Sequence, residues 1–217
     1  MAFKPPPPLL EKVLRFKALE HKEGRFFLWG TPCVILPMAS SAFLFKLIEE
    51  AYGSEVVKNS LYYTGKFQAI RGVQIINKRF GYAETLQDER KILEFNTQQL
   101  ELLGLGSWKW RKMGFGQDNV FILYGKSPFA EIYKRFFGWR KEAVDYYMAG
   151  IIAGGLESIT GKKFNCIEQG CIVKGGAYCE LTAKPSTDWK RGEFKKFDAY
   201  EKLEKKISIA LSIKADI

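Results

Sequence analysis

Residues 146–181 read YYMAGIIAGGLESITGKKFNCIEQGCIVKGGAYCEL, and their pattern changes from helical to extended part-way along. Lys141 to Thr160 reads as a helix in which Ala149, Gly150, Ala153 and Gly154 form one small-residue surface, open to close approach by another backbone. The stretch is too short and polar to cross a bilayer, so the surface is read as packing against a sheet or a partner subunit. From Asn165 onward the chain reads as strand, turn, strand, with Gly175 and Gly176 permitting a tight reversal. Three of the four cysteines and two glutamates fall between Cys166 and Glu180. Without a secretory leader in front of them, clustered thiols beside carboxylates point to a metal site or a redox pair before a disulfide framework. Glu168, Cys171 and Cys179 stand at Glu-x2-Cys-x7-Cys spacing, and a hairpin would bring the three side chains together. Such ligands suit zinc, which takes four in a tetrahedron.

The same segment resembles the close of the 4-vinyl reductase domain, a small-molecule-binding module related in fold to subunits of vesicle-tethering (TRAPP) transport complexes. Upstream, FFLWGTPCVILPMASSAFLFKLIEEAYGSEVVKNSLYYTGKFQAIRG (residues 26–72) resembles that family's opening, a strand, a helix ending in Ala-Tyr-Gly and a second helix containing Tyr-x-Gly. The resemblance implies a domain over residues 24–184, between an N-terminal arm with a short helix (1–23) and a basic C-terminal tail (185–217). It implies an α+β fold, an antiparallel sheet with packed helices, of the NO-signalling and Golgi-transport type. In family members that sense aromatic compounds, zinc is held by a helix cysteine together with the glutamate and two cysteines of the hairpin. Glu168, Cys171 and Cys179 match three of those positions, while the helix cysteine falls on Asp145, a harder oxygen ligand. Cys166 lies two residues before Glu168, shares its face in a strand, and is the alternative fourth ligand.

The chain has 217 residues, 47% hydrophobic and 15% aromatic, enough for one substantial core. The 17 Phe, 10 Tyr and 5 Trp have two outlets, an aromatic-rich core or a ring-lined cavity for an apolar ligand. Trp108 and Trp110 share a strand face in an expected hairpin of Trp108–Phe115 and Val120–Tyr124. Together with Phe121, Tyr124 and Tyr146 they are the candidate ligand-binding residues. Cys33, among apolar residues of an interrupted strand from Arg25 to Leu36, reads as a small buried hydrophobe.

Helices are expected at Ala39–Tyr52, Glu55–Lys78 and Glu84–Leu103 from their apolar stripes. Pro128–Gly138 reads as an aromatic, basic connection of no assigned structure. Pro5–Pro8 forces an extended lead, a short helix is expected from Leu9, and Tyr200, Leu203, Ile207 and Leu211 mark an amphipathic helix in the tail.

The formal net charge of +10 admits nucleic acid or an acidic membrane surface as partners and identifies neither. No apolar run reaches membrane-spanning length, and the thiols without a leader point to the cytoplasm. His21 is the sole histidine and precedes the expected domain, so the core holds no histidine base, and neither a P-loop nor a dinucleotide fingerprint occurs. The expected role is therefore non-enzymatic, a sensory or binding domain for an apolar, aromatic or lipid-like molecule with a structural zinc, forming a homodimer. A dimeric interaction scaffold and a thiol redox sensor are the alternatives.

Overall fold

The computed structural model describes residues 19–28, 30–80, 88–116 and 118–190. In chain order the elements are β1 (Leu19–Lys22), β2 (Arg25–Leu28), β3 (Thr31–Cys33), α1 (Met38–Tyr52), α2 (Ser54–Phe80) and α3 (Glu89–Leu102). Then come β4 (Ser107–Met113), β5 (Phe121–Lys126), α4 (Pro128–Phe137), α5 (Tyr146–Thr160), β6 (Phe164–Gly170), a 3-10 turn (Ile172–Lys174) and β7 (Cys179–Pro185). β1, β2 and β3 form a small antiparallel sheet, and the other four strands form an antiparallel sheet in the order β4-β5-β7-β6. The class is α+β. No helix among the described residues is long and apolar enough to cross a membrane.

Helix α5 is buried from Met148 to Gly154 and again at Leu156, so it has no solvent-facing stripe along that length. One side meets the sheet, chiefly β6, and the other meets α2. The contact with α2 is backbone on backbone. A Cβ added at Gly150 would lie 1.9 Å from the carbonyl oxygen of Tyr62, one at Gly154 would lie 2.3 Å from that of Lys66, and one at Gly65 would lie 2.1 Å from that of Tyr147. Only glycine fits at such distances, so the small-residue surface seen in sequence packs on a neighbouring helix, α2, rather than on the sheet or a partner subunit as the sequence reading expected. Beside it Lys66 Nζ lies 2.6 Å from Glu157 Oε1, and Phe164 N donates to that same oxygen at 2.9 Å, so α2, α5 and β6 are joined at one point.

The sequence reading and the structure differ in four places. The segment 25–36 is not one interrupted strand, because β2 and β3 reverse and pair, Phe26 opposite Cys33. β1 lies ahead of the expected boundary at Gly24 and pairs with β2, Lys22 opposite Arg25. Pro128–Phe137 is a helix, with Ser127 Oγ accepting from Ala130 N at its start and Gly138 (φ 78°) at its end. Finally, α5 begins at Tyr146 rather than Lys141, since Val144 N and Asp145 N donate to the Glu168 carboxylate instead of joining a helix. The Pro5–Pro8 lead, the short helix from Leu9 and the tail helix of Tyr200 to Leu211 lie outside the described residues.

Gly154→Leu should destabilise the domain by about 3 kcal/mol or more in chemical denaturation, since the overpacking meets backbone rather than a yielding side chain. Gly72→Ala, on the same helix as Gly65 but with open space around it, should be neutral or stabilising by up to about 1 kcal/mol.

Candidate functional site

The turn between β6 and β7 builds the first feature. Cys171 leaves β6 in an extended conformation, Gly175 takes a left-handed φ of 101°, and Gly176 N donates to Cys171 O at 3.0 Å. Gly176 is pressed so close that a Cβ there would lie 2.9 Å from that oxygen. This folds Cys179 back onto Cys171, with the two sulfurs 3.8 Å apart. The ligand atoms of Glu168, Cys171 and Cys179 all lie within 4.8 Å of one another, and both thiols are buried.

Glu168 Oε2 accepts from Val144 N at 3.2 Å and from Asp145 N at 2.8 Å, which ties the hairpin to the start of α5. Its Oε1 is buried and unpartnered among the described residues, and so is Asp145 Oδ2. Burial, then the neighbouring Glu168 charge, pushes the Asp145 carboxyl up to about 8; Glu168 is raised in turn, by burial first and then by the Cys171 charge. The hydrogen bond from Cys179 lowers the Cys171 thiol against the opposing effect of burial, and Cys179 is raised as its counterpart. Dry carboxylate oxygens without partners beside two thiols are costly unless a proton or a cation neutralises them. The donor set therefore fits a divalent metal.

Asp145 and Cys166 fall outside the compact trio. Asp145 is buried at the N-cap of α5 without capping the helix, and it interacts electrostatically with Glu168 and Cys179. Cys166 is buried in β6, its backbone N–H donating to Tyr62 Oη at 3.1 Å and its thiol raised by burial.

The second feature is a cavity of about 560 Å³ among α2, α3 and α5. Phe67 and Ile76 of α2, Leu93 and Leu100 of α3, and Ile151 and Ile152 of α5 give it apolar walls. Leu28, Pro32 and Cys33 close it from the N-terminal sheet, so Cys33 is a half-buried wall residue rather than a core residue. Trp110 reaches it from β4, its Nε1 donating to Thr97 Oγ1 at 2.7 Å.

Of the five candidate ligand residues, the structure puts Trp110 on this wall and the other four elsewhere. Trp110 pairs with Leu123 and Trp108 with Gly125, so these share the core face, while Tyr124 pairs with Lys109 on the opposite face. There Tyr124 meets Tyr178 edge-on and lies under Arg111. Trp108 is packed in the core with its Nε1 donating to Leu105 O at 2.9 Å. Phe121 fills the core between Phe115, Trp110 and Phe164. Tyr146 stacks on Phe45 in a separate aromatic group of α1 and α4, with Phe129 and Tyr133. The reading from sequence missed the helical walls, whose residues it took as ordinary core stripes. The available signal was the polar run Asn96, Thr97 and Gln99 interrupting the stripe of α3.

No protein-family model matches the chain, and no curated protein does. Among solved structures, the phenol-responsive sensory domain of the transcription activator PoxR, with phenol, is similar at a TM-score of 0.71 and 19% identity, over 85% of this chain and 92% of that one. The chain shares that domain's fold. A vinyl-4-reductase family protein from Methanocaldococcus jannaschii is similar at a TM-score of 0.47 and 20% identity, over 70% of this chain and 83% of that one. A trafficking protein particle complex subunit 3 from Naegleria fowleri, covalently bound to palmitic acid, also has a TM-score of 0.47, at 13% identity over 69% of this chain and 95% of that one.

Glu168→Leu should destabilise the domain by about 2–5 kcal/mol in urea unfolding, because two backbone donors at the start of α5 lose their acceptor. Glu168→Gln keeps an acceptor oxygen and should cost less.

Proposed function

We propose that this chain is a sensory or ligand-binding domain for an apolar or aromatic small molecule, held in the cavity among α2, α3 and α5. The observation that carries the reading is the cavity itself. At about 560 Å³ it lies within the roughly 300–1,000 Å³ of small-molecule sites, and its walls are apolar with a few placed polar groups. The PoxR domain that shares this fold is phenol-responsive and was solved with phenol, which supports the same class of ligand here. Function in this reading is binding, followed by transmission through the helices that form the walls. A thermal-shift screen of aromatic and lipid-like compounds tests it. A compound filling the cavity should raise the melting temperature by binding only the folded state, and Ile152→Trp, which fills the space, should abolish the shift. No shift from any compound would contradict the reading.

Zinc is the metal we assign to Glu168, Cys171 and Cys179, with Asp145 as fourth ligand in preference to Cys166 because its buried Oδ2 is unpartnered. It would hold the hairpin to the start of α5 and leave no open position for chemistry. Elemental analysis should find one zinc per chain in the wild type and none in Cys179→Ser, and chelation should lower the melting temperature.

Homodimerisation is the third part of the proposal. Val34, Ile35 and Leu36, successive in the chain ahead of α1, are exposed, and so are Leu44 and Leu47, three apart on it; exposed apolar surface is what an interface between copies would cover. Sedimentation should give a dimer that Leu44→Glu with Leu47→Glu converts to a monomer.

A further inference from the structure

We infer that the cavity is built for a ligand with an apolar body and a neutral head that gives one hydrogen bond and takes two; this rests on the binding reading above. Trp110 and Thr97 do not supply that recognition, because their polar groups serve each other and the backbone. Trp110 Nε1 donates to Thr97 Oγ1, and Thr97 Oγ1 donates to Leu93 O at 2.8 Å.

Two amides on the wall remain. Gln99 is only 4% exposed, and neither its Nε2 nor its Oε1 has a hydrogen-bond partner among the described residues. Asn96 Nδ2 is likewise buried and unpartnered. The two residues stand three apart on α3 and so share a face, and both line the cavity. Because both ends of the Gln99 amide are unpaired, turning it over changes nothing, and an amide NH2 and a carbonyl oxygen behind the wall still lack partners. Adding the Asn96 amide nitrogen gives two NH2 groups and one carbonyl oxygen, each without a partner.

A hydroxyl has one hydrogen and two lone pairs, and a carboxamide or lactam offers an N–H beside a carbonyl with two lone pairs; either gives each of the three groups one partner. A hydrocarbon meets none of it. A carboxylate has no hydrogen to give and would leave Gln99 Oε1 facing another oxygen. Its alternative anchor is Arg71, a half-buried wall residue of α2. An ammonium would leave the two donors unpaired. Sites whose buried polar groups need a partner reject ligands that lack one more strongly than apolar pockets reject a change of size.

The test is calorimetric titration of the full chain with four naphthalene probes: 2-naphthol, naphthalene-2-carboxamide, naphthalene and 2-naphthoate. The first two should bind at least about tenfold more tightly than the last two, the worth of one hydrogen bond. Gln99→Leu, and Gln99→Met as a second variant, should remove that advantage while leaving naphthalene bound as tightly or more so. Naphthalene binding as tightly as 2-naphthol to the wild type, an advantage that survives both variants, or 2-naphthoate binding tightest would each overturn this inference and leave the binding reading standing. Failure of all four probes would overturn both.

Discussion

The backbone contact between α2 and α5 is the constraint on which the rest of the molecule depends. With Gly65, Gly150 and Gly154 at the crossing, the two helices approach until carbonyl oxygens occupy the space a side chain would take. That approach brings the buried Lys66 onto Glu157 and the Phe164 backbone, and it fixes α5 over β6. A buried ion pair of this kind adds little net stability, but removing one partner would strand the other charge. It therefore acts mainly to fix which turn of α5 lies against which turn of α2.

Both features of the site hang on α5 once it is placed. Val144 and Asp145, just before its first turn, hold the Glu168 carboxylate of the thiol cluster, while Ile151, Ile152 and Gly155 line the cavity. The adjacent glycines divide the work. Gly154 lies against the Lys66 backbone, whereas Gly155 has nothing within 4 Å of an added Cβ and lines the cavity. One glycine permits contact and its neighbour leaves room. A ligand in the cavity thus touches the same helix whose start the proposed zinc would hold.

The parts of this arrangement set by local pattern were legible in the residues. Glycine spacing marked the packing face of α5, and the spacing of Glu168, Cys171 and Cys179 marked a cluster because a hairpin converts that spacing into proximity. The stripes of α1 and α2 placed those helices within two residues of their observed ends, and that of α3 placed its C-terminal end, its expected start at Glu84 lying outside the described residues. Less was legible where a long-range partner decides. The start of α5 is displaced because a carboxylate from β6 takes two amides that a helix reading assigned to the helix. Helix α4 was hidden by its aromatic, basic composition, although Ser127 before Pro128 is an N-cap followed by proline at the first helical position, and Gly138 is a stop.

The cavity was the least legible feature, because a stripe of apolar residues looks the same whether it meets a neighbour or a space. Trp110 lines it and Trp108 does not, although two residues on one strand face have the same periodicity; their difference lies in what packs opposite. The central claim is that a small molecule occupies this space, and a crystal structure with 6-bromo-2-naphthol, read by bromine anomalous scattering, tests it most directly. The account predicts a bromine peak between α2, α3 and α5 in van der Waals contact with the cavity walls beside Trp110. A structure in which those walls have closed on one another, with bromine only on the surface, would contradict it.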